Sequence, residues 1–127
     1  MEPAPRHLLD SDICIRLLRG DAARLALRIA RAPAGSIAVS AISLAELMEG
    51  SARRGEAALA SLDRLLESVP LLAFDAAAAR AFPAARAARG RLDRLIAAHA
   101  LSLGATLVTH NLRDFRNVAG LRIEDWT

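Results

Sequence analysis

Residues 95–114 read LIAAHALSLGATLVTHNLRD. Leu95, Ile96, His99, Ala100 and Leu103 recur at the three- and four-residue spacing that places them on one helix face. Gly104 is expected to end that helix, because glycine adopts the left-handed conformation of a helix stop without steric cost. ATLVT (105–109) is apolar along its length and suits a strand buried on both faces. Polar residues return at once in HNLRD. A helix that delivers the chain straight into a fully buried strand is half of a parallel crossover.

The same punctuation extends in both directions. Residues 7–9 predict a short strand ending at Asp10. Asp12 is expected to N-cap a helix that stops at Gly20, and Asp21 to open a second, broken by Pro33 and Gly35. SIAVS (36–40) reads as the next strand, with a helix starting at Ser43. Residues 55–68 form a further amphipathic stretch carrying Leu59, Leu62, Leu65 and Leu66, with Val69 following on the same face. LLAF (71–74) predicts a third strand. Asp75 is expected to cap an alanine-rich stretch to Arg89, which Pro83 kinks or divides. Gly90 separates it from the helix quoted above. Asn111 begins a short turn or helix, and residues 121–123 suit an edge strand. Strands alternating with helices predict an α/β fold: a three-layer αβα domain with a central parallel sheet of four to five strands, residues 1–127 forming a single domain.

Composition narrows the chemistry. With 127 residues and a hydrophobic fraction of 54%, the chain has the material for a core and is not a disordered one. Its one cysteine, Cys14, allows no intramolecular disulfide and no multi-cysteine metal site, which suits a reducing cytoplasm. The opening residues, MEPAPRHLLD, carry no apolar stretch of signal length. The longest apolar region, 95–108, is interrupted by His99, Ser102 and Gly104 and is too short to span a bilayer. A cytoplasmic protein with no membrane contact is therefore expected.

All 17 basic residues are arginine. The absence of lysine excludes P-loop nucleotide binding and Schiff-base catalysis. Aromatic residues are 3% of the chain, too few for an extended base-stacking platform. The net charge of +3 is compatible with a polyanionic partner without identifying one.

In an open parallel sheet, ligands gather beyond the carboxyl ends of the strands. Asp10, Ser11 and Asp12 follow the first predicted strand. Ser40 and, one helical turn on, Glu46 follow the second, while Thr109, His110, Asn111 and Asp114 follow the fourth. Asp93 opens the helix that feeds the fourth. Five carboxylates are thereby expected at one edge of a net-basic protein. Such a cluster raises its own pKa values, and a hard divalent cation with oxygen ligands, Mg²⁺ or Mn²⁺, relieves the repulsion. A cation of this kind activates water and neutralises charge on a phosphate, so the pattern points to metal-dependent phosphodiester hydrolysis. It does not choose between RNA and DNA.

Each acid also has a plainer reading. Ser43-Leu-Ala-Glu46 and Asn111-Leu-Arg-Asp114 both fit capping boxes, and Asp12 and Asp93 fit ordinary N-caps. Asp10 is harder to explain this way, since a carboxylate at the end of a buried strand is costly without a partner. Capping does not require all of these residues to fall at the same end of the sheet.

LLDSDICIRLLRG, ISLAELMEG, DRLIAAHALSLGATLVTHNLRDF and LRIEDW, in that order and spacing, resemble the VapC-type toxins of the PIN-domain ribonuclease family. The resemblance covers nearly the whole chain. It implies a metal-dependent endoribonuclease, the toxin of a type II toxin–antitoxin system, that leaves 5′-phosphate and 3′-hydroxyl ends. By motif, Asp10, Glu46, Asp93 and Asp114 match the family's four acids. Asp10, Asp93 and Asp114 would hold Mg²⁺ or Mn²⁺, and Glu46 would act through water. Ser11, Asp12, Thr109 and Asn111 match the polar positions around them. Relatives act on RNA, form homodimers and are silenced by a VapB-type antitoxin laid into an apolar groove; here the early helices are expected to supply that groove.

Arg91, Arg94, Arg113 and Arg116 flank the acids and are the candidates for RNA-phosphate contacts, although a solvated-surface reading suits each equally. The scarcity of aromatic residues favours a folded RNA recognised by shape. His99 lies on the apolar helix face and is expected in the core or an interface. His110 neighbours the site without a catalytic role, and Cys14 is expected to pack.

One segment departs from the pattern. Relatives carry a longer helix end and loop before the third acid, whereas residues 88–93 here are abrupt. About seven missing residues would remove roughly 10 Å of helix. Either that helix is shortened with the site intact, or Asp93 is pulled out of place. The second outcome would make the chain a catalytically impaired PIN domain that serves as an antitoxin-binding partner. Asp10-Ser-Asp12 also fits a phosphatase of the haloacid-dehalogenase kind, but those enzymes use a lysine that this chain lacks.

Overall fold

A computed structural model describes residues 5–127; residues 1–4, where the reading for an apolar leader begins, lie outside them. The strands are β1 (His7–Leu9), β2 (Ile37–Ser40), β3 (Leu71–Leu72), β4 (Thr106–Val108) and β5 (Ile123–Glu124). They form one parallel sheet in the order β3-β2-β1-β4-β5. The helices are α1 (Ser11–Arg19), α2 (Ala23–Arg31), α3 (Ala41–Arg54), α4 (Glu56–Ser68), α5 (Ala76–Arg80), α6 (Arg91–Leu103) and α7 (Leu112–Phe115). The predicted αβα architecture and five strands are present.

Two apolar cores cover the two faces of the sheet. Leu8, Ala38 and Leu107 point to one face and pack with Ile96, Ala97 and Ala100 of α6, Phe115 and Val118. Leu9, Val39 and Val108 point to the other, with Ile13, Cys14, Leu25, Leu47 and Leu62. Alternate residues of one strand thus serve opposite cores, as the two-residue period of a strand requires. Cys14 is fully buried, and burial pushes its thiol far above the ordinary range, so it is packing material. Among the described residues no helix is long and apolar enough to cross a membrane.

Helix starts differ from expectation in a consistent way. Asp10, not Asp12, caps α1, its Oδ1 accepting the Ser11 amide at 2.8 Å. Ser40, not Ser43, caps α3, its Oγ accepting the Ile42 amide at 3.0 Å. In both cases the cap is the residue at the strand's end, because the chain turns into the helix without a loop. Ser43 is instead buried inside α3, its hydroxyl without a partner among the described residues. Asp21 makes no cap either; α2 starts after Ala22 without a side-chain cap. Gly20 and Gly104 end α1 and α6 in the left-handed conformation, as predicted.

The alanine-rich stretch is shorter than its composition allows. Asp75 caps it, accepting the Ala78 amide at 2.9 Å, but α5 ends at Arg80 and Phe82–Ala85 continues as a 3-10 turn. Pro83 lacks the amide that an α-helix needs at that point. The third strand is Leu71–Leu72, not the full LLAF, and the edge strand lies at Ile123–Glu124, two residues beyond its predicted start.

Candidate active site

Strand order places the functional edge. The chain leaves β1 towards β2 and β3, then returns on the other side of β1 as β4. The reversal lies between β1 and β4, whose residues Leu9 and Val108 are paired in register. Outside this reversal an α/β sheet opens a crevice. Asp10 and Thr109 are the next residues on the two strands, and Ser40 is the last residue of β2 on the other flank.

Asp10 is 4% exposed. Its Oδ1 accepts the Ser11 amide and its Oδ2 accepts the Thr109 hydroxyl at 2.8 Å. The same Thr109 oxygen accepts the Asn111 amide at 3.0 Å. Burial first, then the Asp12 carboxylate, pushes the Asp10 carboxyl up to about 7, against the pull of its two hydrogen bonds. Asp12 lies one turn into the crevice, with Oδ2 accepting the His110 amide at 3.0 Å. Its Oδ1 is buried and has no hydrogen-bond partner among the described residues. Burial raises the Asp12 carboxyl as well.

Glu46 reaches the same edge from α3. Ser11 Oγ donates to its Oε1 at 3.3 Å. Burial raises its carboxyl, and Asp93 and Asp12 add to the effect. Asp93 stands in the first turn of α6, three residues after Gly90, which begins the helix without a side-chain cap. Burial, then Asp114, then Asp12 raises the Asp93 carboxyl. Asp114, on α7, faces Arg89 at 3.6 Å, and its carbonyl accepts the Arg89 amide at 3.1 Å.

The five acids are therefore electrostatic neighbours, including Asp93. A short α5 and a 3-10 turn lead to Gly90, which starts α6 beside α7. The chemistry of the set is all-oxygen, and the orphaned Asp12 oxygen is a donor of the type that Mg²⁺ or Mn²⁺ takes. Among the described residues, no three His, Cys, Asp or Glu side chains close into a ready-made cage for a metal ion. The carboxylates are gathered at one edge without converging on a single point.

Residues 7–121 match the PIN domain family. The chain belongs to the PIN domain family. This PIN domain is 34% identical over 131 residues to the tRNA(fMet)-specific endonuclease VapC of Shigella flexneri, covering 96% of this chain and 98% of that one. It is 30% identical over 131 residues to ribonuclease VapC1 of Haemophilus influenzae strain R2866, covering 95% and 98%. Among solved structures, the DNA-bound VapBC of Salmonella typhimurium matches the PIN domain with a TM-score of 0.90 at 30% identity, over 97% of this chain and 99% of that chain.

The remaining candidates separate. Asn111 contributes its backbone amide, and its side chain is exposed. Arg91 and Arg94 line a cavity beside the acids, whereas Arg113 and Arg116 are exposed around α7. His99 is a core residue, its Nδ1 2.8 Å from Ser40 Oγ and its ring edge-on to Phe74. Burial lowers its pKa, so it packs as a neutral ring. His110 turns its ring to Asp125 and Thr127 at the far end of the chain. Sequence reasoning missed Arg89 as the partner of Asp114, and Ser40 as the joint between α3 and α6. A serine closing an apolar strand immediately before a helix was the available signal for Ser40; nothing in the spacing marks Arg89.

Proposed function

We propose that this chain, folded as a single domain over residues 1–127, is the toxin ribonuclease of a VapBC-type toxin–antitoxin system. The observation that carries the reading is the set of five acids at the β1–β4 reversal, with a buried Asp12 oxygen lacking a partner. The full-length likeness to VapC ribonucleases supports RNA as the substrate.

Asp10, Asp93 and Asp114 would hold Mg²⁺ or Mn²⁺, directly or through water. Such a cation lowers the pKa of water at the site and neutralises charge on the phosphate. Thr109 and the Ser11 amide fix the Asp10 carboxylate from two sides. Ser11 Oγ fixes Glu46, which orients the attacking water. Water attacks phosphorus in line, and the bond from phosphorus to the 3′-oxygen breaks. The products are a 5′-phosphate and a 3′-hydroxyl, without use of the ribose 2′-hydroxyl.

The relative from Shigella flexneri is named for a transfer RNA. A transfer RNA is a folded substrate, which agrees with a chain poor in aromatic residues. Structures of VapBC complexes among the matches support a VapB-type antitoxin as partner. Its place here is the apolar cleft between α1, α2 and α4, about 510 Å³ and lined by Leu17, Ala26, Ile29, Ala30, Leu65 and Val69. Exposed apolar side chains such as Met48, 43% exposed, support a homodimer. A monomer by light scattering at micromolar concentration counts against that last point.

The deciding experiment is cleavage of total cellular RNA by the purified chain with Mn²⁺, beside reactions containing EDTA or the Asp10→Asn variant. Discrete 5′-phosphate ends that vanish in both controls are expected. A well-folded chain that cuts nothing would return the protein to the role of an antitoxin-binding partner.

A further inference from the structure

The short segment between α5 and α6 does more than bring Asp93 into place. It opens a cavity of about 490 Å³ whose walls include Arg86, Arg89, Arg91 and Arg94. Among the described residues no carboxylate lies within ion-pair distance of Arg86, Arg91 or Arg94, and Arg89 has only Asp114 at 3.6 Å. Arg86, Arg91 and Arg94 therefore repel one another across the hollow unless an anion joins them.

Arg94 is arranged differently from the other three. Its guanidinium lies over the Phe82 ring, 3.8 Å from the centroid, and its Nε donates to the Phe82 carbonyl at 3.2 Å. Ring and hydrogen bond together fix the position of the guanidinium. Its opposite face is a planar surface of the kind on which a nucleobase stacks.

The cavity also shares residues with the acidic edge. The Arg89 amide donates to the Asp114 carbonyl, and Gly90, on the cavity wall, begins the helix that carries Asp93. A strand cut at the acids therefore passes beside this hollow.

We propose that the cavity seats a nucleotide of the RNA flanking the cut bond, with its phosphate on Arg86 and Arg91 and its base stacked on the Arg94–Phe82 pair. The proposal rests on the ribonuclease reading and adds the subsite that holds the strand in register. Phosphate contacts position a nucleic acid, and one stacked base adds grip in a chain with few other aromatic residues. The apolar lining is small, so a nucleotide fits these walls better than an amphipathic peptide does.

The test measures binding of a fluorescent 12-nucleotide RNA, by anisotropy across a salt series, to the chain carrying Asp10→Asn so that the RNA stays whole. Adding Arg86→Gln and Arg91→Gln, both at exposed positions, is expected to weaken binding about tenfold at low salt. The slope of log affinity against log salt falls by about 0.7 for each phosphate no longer neutralised by an arginine. Arg94→Lys keeps the charge and removes the plane. It leaves the slope unchanged and weakens binding of the RNA about fivefold, but not binding of an abasic strand of the same length, as loss of base stacking predicts.

Cleavage of total RNA by the chain with Asp10 intact, in Mn²⁺, runs in parallel. Cleavage together with unchanged binding by all three arginine variants overturns the subsite and leaves the ribonuclease reading standing. Neither cleavage nor RNA binding overturns both. Binding of a twelve-residue oligoglutamate with the same dependence on Arg86 and Arg91 makes the cavity a general anion site and also overturns the proposal.

Discussion

Thr109 donates its hydroxyl to Asp10 Oδ2 across 2.8 Å while the same oxygen accepts the Asn111 amide. One side chain thus ties the ends of two neighbouring strands and fixes the central carboxylate. Thr109→Val keeps nearly the same shape and removes both bonds. Unfolding in urea is expected to show a loss of about 1–3 kcal/mol, with cleavage reduced at least tenfold. Thr109→Ser should recover most of both.

The Asp10 carboxyl, pushed up to about 7 by burial and then by Asp12, makes the metal-free protein sensitive to pH in a defined direction. Its unfolded value is near 3.8, so between these two values the folded state holds a proton that the unfolded chain has released. Stability therefore falls as pH rises through this window and stays low above about 7. Thermal melts in EDTA should show a lower melting temperature at pH 8 than at pH 5.5. Asp10→Asn should flatten the trend and stabilise the protein at pH 8 by roughly 2–4 kcal/mol. Mn²⁺ competes for the deprotonated form and should raise the melting temperature at pH 8 in the unmodified chain more than in Asp10→Asn.

Ser40 closes β2, caps α3 and meets His99 of α6 at 2.8 Å, all in a fully buried position. Ser40→Ala removes a helix cap and leaves the His99 nitrogen without its partner. A loss of about 2–3 kcal/mol is expected from the two effects, read from a shift in the denaturant midpoint. Because α3 carries Glu46 and α6 carries Asp93, the residual folded protein should also cleave more slowly.

Ala26 is exposed on α2 and lines the apolar cleft assigned to the antitoxin. Ala26→Glu places a charge there without touching the core, so the melting temperature should change little and RNA cleavage should persist. Titration calorimetry with the partner antitoxin should show affinity weakened at least tenfold. Unchanged affinity would move the antitoxin to another face.

The parallel sheet and the edge that carries the acids were legible because the signals are strong and local. Strands such as 105–109 are largely apolar, and although Asp10 proved to be a helix cap, its place directly after a buried strand still marked the edge that carries the acids. The caps were misassigned because Asp10 and Asp12, and Ser40 and Ser43, are residues of the same capping type two or three positions apart. Only the abrupt turn from strand to helix decides between them. The extent of α5 was hidden by alanine, which favours helix wherever it stands, so that only the missing amide of Pro83 and tertiary packing set its end. Arg89 and the arginine cavity depend on residues brought together by that break, and no spacing rule reports such a meeting.

The starts of α1, α3 and α6 all lie at the edge where the acids gather, marked by Asp10, Ser40 and Gly90. Each of these helices brings about half a positive elementary charge to its amino end. Together they supply roughly one and a half such charges, a standing counterweight that lets the carboxylates coexist before any cation arrives. A cation held by Asp10, Asp93 and Asp114, as proposed, would complete a neutralisation that the backbone has already begun.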